Sequence, residues 1–125
     1  MIADTTFLIN YFREGRDGRR GPARTFLANH RAEALRTSII SLGEIAPSFE
    51  TSEDAWEYFR RWKIYRLHPG VVNAAADLDR QLTDAGHRLG ENDSWIAGFC
   101  LYYREPLISR DQDFDRVPGL RRLDY

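Results

Sequence analysis

The run WIAGFCLYY, Trp95–Tyr103, constrains this chain more than any other stretch, because as a helix it leaves almost no polar face. Trp95, Ile96, Phe99, Cys100, Leu101 and Tyr103 point around most of the circumference, so such a helix must be buried against a sheet. Short apolar segments that can supply that sheet recur along the chain. MIA precedes the helical pattern DTTFLINYF, capped by Asp4, Thr5 or Thr6; ALRTSII precedes SLGEIAPSF, with Ser41 near its start and Pro47 disrupting it. KIYRLHP, stopped by Pro69, precedes the long VVNAAADLDRQLTDAG, which ends at Gly86; PLISRD precedes QDFDRVPG, and LRRLDY forms a terminal edge strand. Further helices are predicted over ARTFLANHRA, after Pro22, and over SEDAWEYFRRW, capped by Ser52 or Glu53. Strands that alternate with helices in this way make an α/β fold, a mostly parallel sheet covered on both faces. With 125 residues, 42% of them hydrophobic, the chain builds one core, so a single domain over 1–125 is expected.

Composition removes several classes of function. The net charge of -1 argues against an indiscriminate polyanion binder, yet Lys63 is the only lysine, so the positive charge is nearly all arginine, whose planar fork suits phosphate and carboxylate. Arg13, Arg16, Arg19 and Arg20 crowd a glycine-rich loop that could hold RNA phosphates or an acidic partner segment. One cysteine, Cys100, excludes an internal disulfide and a thiolate metal cage, and reads as a buried, inert thiol. No signal peptide and no bilayer-length apolar run is visible, so a cytoplasmic protein without membrane contact is expected. His30, His68 and His87 have neither ligand nor acid–base spacing and are expected at the surface. Trp56, Tyr58, Phe59 and Trp62, at near-helical spacing, are expected in the core, with a partner or dimer surface as the other use of such aromatics.

The acids carry the chemistry. GENDSWIAGF opens the apolar helix with Glu91, Asn92 and Asp93, more polar groups than capping needs; Asn92 is expected to cap and Asp93 to be free for another task. In an open parallel sheet, functional groups gather at the carboxyl ends of strands. Asp4 follows the first strand there, Asp111 follows PLIS, Asp93 begins the helix leading to that strand, and Glu44 lies in the helix after the second. Carboxylates brought together raise one another's pKa unless a cation intervenes, and a hard divalent ion accepts an all-oxygen donor set. Such an ion lowers the pKa of bound water and stabilises charge on a phosphodiester.

IADTTFLI, TSIISLGEI, ENDSWIAGF and LISRDQDF, in this order and spacing, resemble the motifs of the PIN-domain family, in particular the VapC-type toxins of toxin–antitoxin pairs. The closing FDRVPGLRRLDY resembles the family's C-terminal strand, so the likeness spans nearly the whole chain. It implies a three-layer α/β/α fold and a Mg²⁺- or Mn²⁺-dependent endoribonuclease acting through metal-activated water. Asp4, Glu44, Asp93 and Asp111 match the family's four acids, and Asp113 shares or replaces the role of Asp111 or caps the next turn. Thr5 or Thr6 resembles the hydroxyl residue beside the first acid, with Ser109 in a similar part near Asp111. The resemblance further implies an RNA substrate, a small VapB-like antitoxin that binds operator DNA, and a homodimer.

Two other readings are set beside this one. A phosphatase or phospho-acceptor domain would use Asp4 as nucleophile, but Thr6 stands where a second acid is needed, and no lysine follows a late strand. A non-catalytic partner-binding module on the same fold would have no reason to retain four matching acids.

Overall fold

A computed structural model describes all residues, Met1–Tyr125, and its framework is a parallel sheet of five very short strands. These are β1 (Ile2–Ala3), β2 (Arg36–Ser38), β3 (Lys63–Tyr65), β4 (Leu107–Ile108) and β5 (Arg122–Leu123), in the spatial order β3-β2-β1-β4-β5. The chain thus starts at the centre and winds first to one edge, then to the other. Ala3 pairs with Thr37 on one side and with Ile108 on the other, so β1 has a strand on each flank.

Strand alternation sends successive side chains to opposite faces, and this divides the core in two. Ile2 and Leu107 join Val71, Leu78 and Leu82 of α5 (Pro69–Asp84) and Ile96, Phe99 and Cys100 of α6 (Glu91–Tyr103). Ala3 and Ile108 face the other way, onto Phe7 and Leu8 of α1 (Thr5–Arg16), Ala23 of α2 (Pro22–Asn29) and Leu42 and Ile45 of α3 (Ile39–Ile45). Phe59 and Trp62, which follow α4 (Ser52–Tyr58), close that second layer. The result is the expected three-layer α/β/α fold, with the apolar α6 buried as its composition demands. A Cβ on Gly98 would lie 2.7 Å from the Ala75 Cβ and 3.0 Å from its backbone, so glycine is what allows α6 to lie this close to α5.

Several boundaries differ from the sequence expectation, each for a local reason. β2 stops at Ser38, whose hydroxyl accepts the Ser41 N–H at 3.0 Å; it caps α3, and Ile39 and Ile40 are helical despite their β-branched side chains. Ser41 is therefore inside the first turn, buried. Thr51, rather than Ser52 or Glu53, caps α4 through a reciprocal capping box with Asp54. His68 caps α5 with Pro69 as its first residue, earlier than VVNAAAD suggests, and Gly86 adopts φ +73 just beyond its end. α3 ends at Ile45 and tightens into a 3-10 turn, Ala46–Ser48, around Pro47.

Two expectations about side chains are corrected. Trp56 is 51% exposed, because the short α4 turns only Ala55 inward before Phe59. His30 and His68 are half-buried and structural: His30 stacks on Phe26, and His68 bonds the Tyr103 hydroxyl at 3.1 Å while accepting the Gly70 N–H. Only His87 is at the surface. No helix is long and apolar enough to cross a membrane.

Candidate active site

Asp4 is where strand chemistry and helix chemistry meet. Its N–H still bonds Ile108 across the sheet at 3.1 Å, while its carboxylate accepts the Phe7 N–H at 2.6 Å and so caps α1. With the strands this short, the cap is drawn into the core, and Asp4 is only 4% exposed. Burial pushes its carboxyl up to about 6, against the pull of hydrogen bonds from Ser109 and Phe7, and the nearby Asp93 and Asp111 push it further.

Asp93 sits in the first turn of α6, half-buried. Burial raises its pKa, reinforced by Asp111, Glu44 and Asp113 in that order. Three acids from two other segments therefore act on the Asp93 carboxyl group. Glu44, exposed on the last turn of α3, accepts a hydrogen bond from the Thr5 hydroxyl and one from Asn92 Nδ2 at 2.7 Å. Asp111 is exposed, caps the 3-10 turn Gln112–Arg116 by accepting the Asp113 N–H at 2.8 Å, and gives its own N–H to Ser109 Oγ at 3.0 Å. Ser109 itself is fully buried and so links Asp4 to Asp111. Asp113 pairs with Arg116 at 2.9 Å.

The other named residues are placed differently. Thr6 is exposed and makes no hydrogen bond to these acids, so of the two threonines it is Thr5 that touches one. Arg13 is exposed near the end of α1, roughly 13 Å along the helix axis from Asp4 at 1.5 Å per residue. Arg110 is tied to the C-terminal residue, its Nε bonding the Tyr125 carbonyl at 2.9 Å and its guanidinium lying over the Tyr125 ring.

Asn92 is the residue whose part was not foreseen. α6 begins at Gly90 with no side-chain cap, so Asn92 does not cap it but reaches across to Glu44. Asp93 folds back over the same start: a Cβ on Gly90 would stand 3.1 Å from Asp93 Oδ2.

The domain model that matches this sequence is the PIN domain, over residues 1–120. The chain belongs to the PIN-domain family. No curated protein matches it. Among solved structures, this PIN domain is similar to VapBC2 from Rickettsia felis bound to a DNA fragment from their promoter, with TM-score 0.81 and 18% identity over 98% of this chain and 96% of that one. DNA-bound VapBC from Salmonella typhimurium gives the same TM-score of 0.81 at 18% identity, again over 98% and 96% of the two chains. VapBC-1 from nontypeable Haemophilus influenzae follows at 0.76 and 21%, with the same coverage of 98% and 96%. At such identities the likeness establishes the fold.

As placed, no three of the PIN domain's His, Cys, Asp or Glu side chains are spaced to grip one ion. The donor set nevertheless suits a hard divalent cation. Its members are all carboxylates, no lysine or arginine is paired with Asp4, Asp93 or Asp111, and burial and nearby acids oppose ionisation of Asp4 and Asp93. A divalent ion relieves both penalties.

Proposed function

We propose that this PIN domain is a VapC-like toxin, a divalent-metal-dependent endoribonuclease. The observation that carries the reading is the electrostatic frustration of Asp4 and Asp93, two partly or wholly buried carboxyls raised first by burial and then by nearby acids, with no lysine or arginine paired with either. Structural carboxylates elsewhere in the chain are answered by arginine, as Asp115 is by Arg122 at 2.8 Å and Glu105 by Arg36 at 3.0 Å.

Asp4, Asp93 and Asp111 would hold Mg²⁺ or Mn²⁺, with Glu44 and Asp113 at the rim. When bound, the ion supplies charge neutralisation at the scissile phosphate and a nucleophilic water at neutral pH. The chain's own part is positional. Ser109 and the Phe7 N–H fix the Asp4 carboxylate from two sides, so it does not swing away when ionised. Thr5 and Asn92 clamp the exposed Glu44 at the edge of the site. Ser109 receives the Asp111 N–H and so sets the direction in which that residue leaves the sheet.

The resemblance to VapBC complexes, some carrying DNA, supports a partner as well: a small antitoxin that covers the acidic rim and alone contacts operator DNA. A cytoplasmic homodimer, one domain per chain, fits the same reading. The partner-free protein should cleave total RNA with Mg²⁺ or Mn²⁺ and lose that activity with EDTA and as the Asp4→Ala and Asp93→Asn variants. RNA left intact by a folded wild-type protein under every metal condition refutes the enzyme and leaves a binding role.

A further inference from the structure

A second feature lies one helix face away from the acids. Along the first turn of α6, Asn92 and Asp93 look toward α3, whereas Glu91, Ser94 and Trp95, spaced i, i+3 and i+4, look toward α5. There they line a cleft of about 330 Å³ with Ala75, Ala76 and Asp79 of α5 and with Arg88. Its floor holds an anomaly: Ser94 is only 7% exposed, and its Oγ has no hydrogen-bond partner. A buried hydroxyl left unsatisfied costs about 1–3 kcal/mol, so an oxygen retained in this state, lining a cleft, marks a place for a polar ligand atom.

We propose that this cleft is a nucleobase subsite selective for guanine, receiving a base that flanks the cleaved bond. The proposal rests on the ribonuclease reading above for its substrate. The Trp95 indole and the two alanines give an apolar wall for a base, and aromatic stacking is how unpaired RNA bases are held. The rim selects among bases. Asp79 is already engaged by Arg88 Nε at 3.1 Å, as Asp77 is by Arg80, which leaves Glu91 as the exposed carboxylate with no cation on it. Guanine alone presents two adjacent N–H donors, N1–H and N2–H, that match both oxygens of one carboxylate; adenine, cytosine and uracil offer at most a single donor with an acceptor beside it. The Ser94 hydroxyl supplies a donor for the acceptor edge of the same base. The cleft and the acids share one helical turn, so base and scissile phosphate are separated by about a helix width, roughly 10 Å.

The test is titration of the EDTA-treated wild-type protein with the four ribonucleoside monophosphates, followed by NMR through the Trp95 indole N–H, assigned with Trp95→Phe. Guanosine monophosphate should move that signal, with the other three binding at least roughly fivefold more weakly, and Glu91→Gln should weaken guanosine binding about tenfold, the value of one charge-assisted pair. Ser94→Ala, which removes an unpartnered oxygen and leaves the packing intact, should fold like wild type and lose roughly fivefold in the same titration. In an RNA that is cut, inosine in place of the flanking guanosine should slow wild-type cleavage roughly fivefold and leave Glu91→Gln cleavage unchanged. A Trp95 signal that is silent, or that answers all four nucleotides equally, overturns the subsite even if RNA is cleaved. A selective Trp95 response in a protein that cuts no RNA upholds the guanine site and sinks the ribonuclease reading instead.

Discussion

Replacing Asp4 with asparagine separates the cost of its charge from the value of its hydrogen bonds. The carboxyl is raised from 3.8 to about 6, chiefly by burial and then by Asp93 and Asp111. A raised carboxyl favours the protonated fold, so its stabilising share is whole below pH 3.8, declines as pH climbs, and is gone above about 6. At about 1.4 kcal/mol per tenfold change in proton affinity, the ionised side chain at pH 8 costs the fold about 3 kcal/mol. Asparagine keeps an oxygen to accept the Phe7 N–H, so the cap survives while the charge is removed. In EDTA, Asp4→Asn should therefore melt about 10 °C above wild type at pH 8, given a few degrees per kcal/mol for a chain of this size, and within about 2 °C of it at pH 4. Divalent cation should close the gap from the other side by stabilising wild type alone. Thermal unfolding followed by circular dichroism reads all three conditions. Equal destabilisation of the variant at both pH values would refute the reasoning, since it would mean that Asp4 matters as a cap and not as a frustrated charge.

Asn92→Ala releases Glu44 from one of its two clamps; RNA cleavage should fall by on the order of tenfold with no change in melting temperature, because both side chains are exposed. Gly98→Ala drives a methyl into the Ala75 backbone and should cost about 1–3 kcal/mol in urea unfolding through the α5–α6 contact. At the opposite end of the sheet Glu105 is partly desolvated, yet hydrogen bonds from the Met1 ammonium, Tyr65 and Arg36 outweigh that burial and lower its pKa. Its contribution is present above pH 4.5 and lost as pH falls, so Glu105→Gln should cost about 3 kcal/mol at pH 7 and converge with wild type in acid, read from urea midpoints. Cys100 is 1% exposed and burial pushes its thiol far up, so a thiol reagent should label it only at the rate of unfolding and at once in denaturant.

The layered fold was legible because its signals are local: apolar runs, proline starts and glycine stops follow one another in an order that only a parallel sheet satisfies. The individual junctions were less so. RTSII reads as one strand on β-propensity, and it is the Ser38 hydroxyl, a single hydrogen bond to Ser41, that turns its second half into helix. The proximity of the acids was legible for the same reason that the fold was, since residues at the carboxyl ends of central strands converge whatever their neighbours are. Asn92 escaped because its partner, Glu44, is 48 residues away, and nothing in an asparagine at a helix start distinguishes a cap from a long-range clamp. The start of α6 resolves that ambiguity physically. A glycine N-cap leaves the helix without a side-chain cap, but it also leaves the space that Asp93 Oδ2 occupies, where any Cβ would press at 3.1 Å. A glycine at the cap forgoes only about a few tenths of a kcal/mol relative to a capping side chain, and it leaves three consecutive polar residues to separate tasks: Glu91 to the α5 cleft, Asn92 to Glu44 and Asp93 to the acid cluster.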